Sequence, residues 1–142
     1  LKNKKKYLNI KNIKFFEYVD YNKVPDLLKK YKIALMPYQS IIKARSSNLE
    51  ISKYISPLKM FDYLAAGNII IASKLNAYSH ILKNNFNSFL VSNKNINIWK
   101  IMINKVFNQP QNFISMKLNA TNTAKKYSWD NRAKKYYNFI EN

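Results

Sequence analysis

The residues best placed to do chemistry follow the pair Ser56-Pro57: Lys59 one residue inside a helix start, and Asp62 one turn further in. Ser is a preferred N-cap, and Pro is favoured at the first helical position, where its missing N–H costs nothing. The N–H groups of Leu58 and Lys59 then lack intrahelical partners and form a candidate anion site. A lysine at that end opposes the helix dipole, so it is poorly explained as a stabilising surface residue. Asp62 has two readings. A carboxylate near a helix N-terminus is stabilised by ~0.3–1 kcal/mol. The other reading is an acceptor for two sugar hydroxyls, each charge-assisted bond worth about 1.5–3 kcal/mol. Spacing alone leaves both open. Lys43, Arg45 and Lys53 upstream add charge or are simply solvated, and His80 reads as a packing or surface residue.

Other chemistries are excluded by composition. One glycine cannot build a G-x-G-x-x-G or P-loop phosphate cradle. With no cysteine and one histidine, disulfides and Cys- or His-built metal centres fall away. No paired carboxylates or Ser/His/Asp arrangement suggests a self-contained hydrolase. What remains is binding chemistry, with no metal or cofactor expected.

The elements that must position these residues can be read in order. Asn12 to Val19 (NIKFFEYV) has strand propensity. Val24-Pro25-Asp26 opens a short helix through Tyr31, and Lys32 to Tyr38 (KIALMPY) is a second strand. Gln39 to Ile55 is a long polar loop, of a length that usually carries function. The helix from Ser56 runs to Gly67, placed where a helix passes through a left-handed residue, and Asn68 to Ala72 is a buried strand. A short helix at Ala77 to Lys83 and a strand at Phe89 to Ser92 follow. A helix over Asn97 to Asn108 should turn Ile98, Ile101, Met102 and Val106 inward. Two more helices finish the chain, from about Gln111 to Tyr127 and from the cap Ser128 onward. The second carries Trp129, Ala133, Tyr136, Tyr137 and Ile140, with Trp129 and the tyrosines after it read as packing residues. Alternating strands and helices predict an α/β domain with a parallel sheet, whose ligands bind beyond the C-terminal strand ends. The loop after Tyr38 and the helix start at Ser56 both belong to that edge.

The 142 residues suffice for one domain with its own core, and 47% hydrophobic content argues against a disordered polyelectrolyte despite a net charge of +18. That excess suits nucleic acid, anionic lipid or a phosphorylated ligand. The lysines are scattered rather than striped, however, and composition bias (Lys, Asn and Ile abundant together) accounts for much of it. No apolar run approaches the ~18 residues of a membrane span.

In this order the elements resemble the C-terminal half of a retaining GT-B glycosyltransferase of family 4, the group 1 glycosyltransferases. SPLKMFDYLAAGNIIIAS at 56–73 is similar to the family segment SPLK-x-F-E-Y-x-A-x-G-x-P-V-x-A-S. FFEYV, VPDLLKKYKIALMPY, NNFNSFLV and YSWDNRAKKYYNFI resemble the flanking segments. The resemblance implies a Rossmann-like parallel sheet with flanking helices and a helical C-terminus, bound to a nucleotide-diphosphate sugar donor. It places Asp62 at the second glutamate of an E-x7-E motif, which holds the ribose hydroxyls. Lys59 and the amides from Ser56 to Lys59, Leu58 among them, fall where the donor's phosphates and sugar approach. Tyr54 takes the position of the first glutamate, Glu17 and Ser88 replace glycines, and Ile69 replaces a proline.

The resemblance also implies an N-terminally truncated domain. Two earlier strands would lie centrally in a sheet of order 3-2-1-4-5-6, and a separate N-terminal acceptor domain would complete the enzyme. The strand at 13–19 would then pair beside 32–38 or leave an open edge, and the fragment alone would be inactive. The expected setting is polysaccharide biosynthesis in the cytoplasm, at the inner face of the cell membrane with peripheral membrane contact. The alternative reading is a basic nucleic-acid-binding module, and a third is a structural or membrane-surface domain. On the leading reading no specific nucleic acid is expected.

Overall fold

The structure, a computed structural model, describes residues 7, 10–41, 43, 49–50, 52 and 56–141. Three parallel strands form its sheet in the order β1-β2-β3: β1 (Ile33–Met36), β2 (Ile69–Ser73) and β3 (Ser88–Val91). The register sets Ile33 beside Ile69 and Ile70 beside Ser88. The helices are α1 (Val24–Lys29), α2 (Leu58–Ala65), α3 (Ile96–Asn108), α4 (Ile114–Lys126) and α5 (Trp129–Ile140). The architecture is α/β with a helical C-terminus, as the alternation of patterns predicts.

β2 is central because all five of its residues are buried, the continuous apolar pattern of a strand covered on both faces. On one face Ala34, Met36, Ile70 and Ala72 pack against Met60 and Leu64 of α2 and Ala120 of α4. On the other, Ile69, Ile71, Phe89 and Val91 meet Trp99 and Val106 of α3, with Phe113 and Met116. Phe89 and Phe113 pack edge to face at 5.4 Å between centroids.

The turn from α2 into β2 depends on Gly67, at φ +68°. The Gly67 amide donates to the Leu64 carbonyl and the Asn68 amide to Tyr63, closing the helix end in a Schellman pair. Asn68 is buried and donates from Nδ2 to the carbonyls of Leu28 and Tyr31, at 3.0 and 2.6 Å. It therefore ties the end of α1 to the start of β2.

Four expectations are corrected. Residues 13–19 form no strand, and Phe16 and Tyr18 stand exposed. A β-prone segment becomes a strand only where a neighbouring ladder takes its backbone groups. β1 pairs with β2 alone, so its other edge is unpaired among the described residues. The short helix expected at 77–83 is a 3-10 turn, Asn76–Tyr78. In α3, Trp99 is buried while Ile98 and Ile101 are exposed, because the indole N–H finds the Ser92 carbonyl at 2.9 Å. Finally, α5 is capped by Ser128 as expected but buries none of its residues, so Trp129, Tyr136 and Tyr137 stand exposed among the described residues rather than packed.

Candidate functional site

The C-terminal ends of the strands are joined by one carbonyl. Tyr38, two residues beyond β1, accepts at its backbone oxygen from Ser73 Oγ at 2.7 Å and from Asn93 Nδ2 at 3.3 Å. Ser73 ends β2 and Asn93 follows β3, so all three strand ends converge here. Asn93 also reaches Ser40 Oγ at 2.8 Å. Below them Tyr78, fully buried, donates its hydroxyl to the Ser73 carbonyl. Burial, and then the nearby Tyr38, pushes the Tyr78 phenol well above its usual range, so it stays a donor.

Helix α2 starts at this edge. Pro57 rather than Ser56 is its N-cap, at φ −69° and ψ 114°, and no side-chain cap bond is made. The Pro57 carbonyl accepts from the Met60 amide at 2.9 Å, which begins the helix one residue later than the Ser-Pro pattern suggests. Ser56 is exposed. The amides of Leu58 and Lys59 are left to solvent or to a ligand.

Lys59 is exposed and its Nζ lies 4.8 Å from the centroid of the Tyr38 ring. The aromatic face attracts the ammonium and holds it above the joined strand ends. Asp62 is half-buried one helical turn on, on the same side of α2. Burial pushes its carboxyl above the usual carboxylate value, and it forms no ion pair among the described residues. A positive helix end, a cation and a carboxylate without an ion pair among the described residues thus share one edge. Such a group suits a ligand that carries both negative charge and hydroxyls.

Arg45, Lys53 and Tyr54 lie outside the described residues. Lys43 makes an antiparallel backbone bridge with Glu50. His80 is exposed on the turn after Tyr78. Among the described residues, no group of three or more His, Asp or Glu side chains is placed to hold a metal ion.

Sequence reasoning missed the cleft on the other side of Tyr38. It encloses about 440 Å³ between the ends of β1 and β2 and the start of α3. Leu35, Pro37, Ile96, Trp99 and Ile103 give it an apolar floor, with Gln39, Asn93 and Lys94 at the rim. The available signal was positional: Ser73 and Asn93-Lys94 each follow a strand at the ligand-binding edge.

The family model for glycosyl transferases group 1 matches residues 1–127. The chain belongs to the group 1 glycosyltransferases. No curated protein and no solved structure matches it. The matched span of this group 1 glycosyltransferase contains the whole sheet, the joined strand ends and α2, and stops at the residue before Ser128. Among its described residues no helix is long and apolar enough to cross a membrane.

Proposed function

We propose that this glycosyltransferase domain binds a nucleotide-diphosphate sugar donor at the joined strand ends, as part of a retaining, family 4 enzyme of glycan biosynthesis. The observation that carries the reading is Lys59 held over Tyr38 beside the uncapped start of α2. In this reading the Leu58 and Lys59 amides and the Lys59 ammonium meet the diphosphate, with Ser56 at the rim. Asp62 accepts from the two ribose hydroxyls. An acceptor hydroxyl, bound by a separate half of the enzyme, replaces the diphosphate at the anomeric carbon. The carbon–oxygen bond to phosphate breaks, a bond to the acceptor oxygen forms, and the acceptor's proton is lost. The nucleoside diphosphate leaves with the bonding pair, and positive charge at Lys59 and the helix end stabilises it as it departs. Arg45 and Tyr54 are proposed as further contacts, and the 142 residues alone as inactive.

Calorimetry of the full protein with UDP, GDP and ADP tests this. At least one should bind, and Lys59→Ala should weaken the diphosphate roughly tenfold while leaving the parent nucleoside unaffected, as loss of one charge-assisted contact predicts. Absence of binding by all three, or an equal loss for nucleoside and diphosphate, would overturn it.

A further inference from the structure

Lys59 carries the charge in the donor-binding reading, yet α2 alone does not determine where its ammonium rests. The carboxylate of α2 is Asp62, three residues on and on the same side. At that spacing Lys and Asp side chains close elsewhere in the chain: Lys23 meets Asp20 and Lys29 meets Asp26, each at 3.6 Å. The charges at 59 and 62 stand in the reverse order, which weakens a helical pair without forbidding it. They form no ion pair, and Lys59 Nζ lies instead 4.8 Å from the centre of the Tyr38 ring.

Tyr38 is fixed well enough to hold it there. Its amide donates to the Met36 carbonyl at 3.0 Å, and its own carbonyl accepts from Ser73 and Asn93. The backbone is therefore pinned on both sides of the Cα that carries the ring. The ring is half-buried and packs against the core cluster that contains Met60 and Leu64. It lies 6.5 Å from the ring of the fully buried Tyr78, tilted by 54°. Strand ends and core thus anchor a platform on which a flexible lysine can settle.

We infer that Tyr38 is a positioning residue: its ring holds the Lys59 ammonium off Asp62 and over the strand ends, where the donor's diphosphate would lie. The inference rests on the donor-binding reading and names what makes its cation available. A π-face attracts an ammonium without bringing a countercharge, so Lys59 keeps its full charge for an anionic ligand. A Lys59–Asp62 pair would cancel that charge and also occupy the carboxylate assigned to the ribose. Holding the side chain beforehand lowers the rotamer entropy lost when the diphosphate arrives. The ring face does this work, and the phenol hydroxyl has no part in it.

Calorimetry of the full protein with UDP, GDP and ADP, in a cycle of Tyr38→Leu and Lys59→Ala, provides the test. Tyr38→Leu should weaken any diphosphate that binds roughly three- to tenfold, as loss of a cation–π contact predicts, and no more than Lys59→Ala does. In the Lys59→Ala background it should cost nothing further. Tyr38→Phe keeps the face and should restore wild-type affinity. A second readout needs no variant: in the wild type the Tyr38 ring current should move the Lys59 ε-methylene protons upfield in the NMR spectrum. Equal losses in both backgrounds would make Tyr38 a residue of the fold and overturn the inference. So would full affinity in Tyr38→Leu, a Phe variant as weak as the Leu variant, or unshifted Lys59 protons. Each of those results leaves the donor reading standing. Failure of all three nucleotides to bind the wild type overturns that reading, and this inference with it.

Discussion

Replacing Asp62 by Asn separates the two jobs a carboxylate can do at this edge. Asp62 is half-buried without an ion-pair partner, and burial raises its carboxyl above 3.8. The folded state therefore favours the protonated form. That contribution to stability is fully present below 3.8 and is lost as pH rises through the higher folded value. At neutral pH the ionised group is a small burden on the fold, so Asp62→Asn should leave the melting temperature unchanged or slightly raised. Ligand binding has the opposite sign. Two hydroxyls that donate to a carboxylate would donate to an amide oxygen instead, a loss of about 1.5–3 kcal/mol, or roughly ten- to 150-fold in affinity for a nucleoside diphosphate. Titration calorimetry and thermal unfolding on the same samples between pH 4 and pH 7, about the range over which a raised carboxyl ionises, would read both. Wild-type affinity should grow with pH while the Asn variant stays flat. A 2′,3′-dideoxy diphosphate closes a double-mutant cycle: it should bind poorly to the wild type and lose nothing more in the variant. Equal affinity of wild type and variant for the ribose form, or additive losses in the cycle, would refute the ribose role. A large fall in melting temperature would instead show that Asp62 serves the fold.

Two further predictions concern the scaffold beneath the site. Gly67→Ala should destabilise by about 1–2 kcal/mol in denaturant unfolding, because φ is +68° and a Cβ there would stand 3.3 Å from Thr121 Cγ2; an unchanged midpoint would mean the turn relaxes at no cost. Tyr78→Phe should cost about 1–2 kcal/mol, since it removes the hydroxyl that donates to the Ser73 carbonyl, and a nucleoside diphosphate should then bind more weakly as the strand ends loosen. Retained stability in that variant would show that the buried phenol contributes only its ring.

Local signals carried much of the fold because several residues admit one conformation. Gly67 alone can leave α2 through a left-handed turn without strain, and Ser128 has the acceptor that caps α5 at the Asn131 amide. The run Ile69–Ala72 is apolar throughout, so its burial on both faces was legible before any partner was known. Misreadings arose where the outcome depends on something distant. The segment 13–19 has strand composition, yet it joins no ladder among the described residues. Helix α3 carries apolar residues on all sides, so periodicity could not choose between Ile98 and Trp99; the Ser92 carbonyl decides it. At α2, Ser56 and Pro57 both suit a helix start, and the start falls at Pro57. The candidate site was readable only as an address, the strand ends and the start of α2. The position of Lys59 over Tyr38 was not, because it joins residues far apart in the chain.

The edge of β1 left unpaired among the described residues gives the charge another meaning. An unpaired strand with a half-exposed Leu35 is a template on which a second copy can add its own strand. Yet two such molecules must bring +18 against +18 before their edges touch. In dilute salt that repulsion acts as a colloidal stabiliser, holding copies apart. At physiological salt it reaches only about 8 Å beyond the surface. Solubility of this domain therefore becomes a property of its medium: polyanions or concentrated salt that neutralise the lysines also remove the barrier to edge-on assembly.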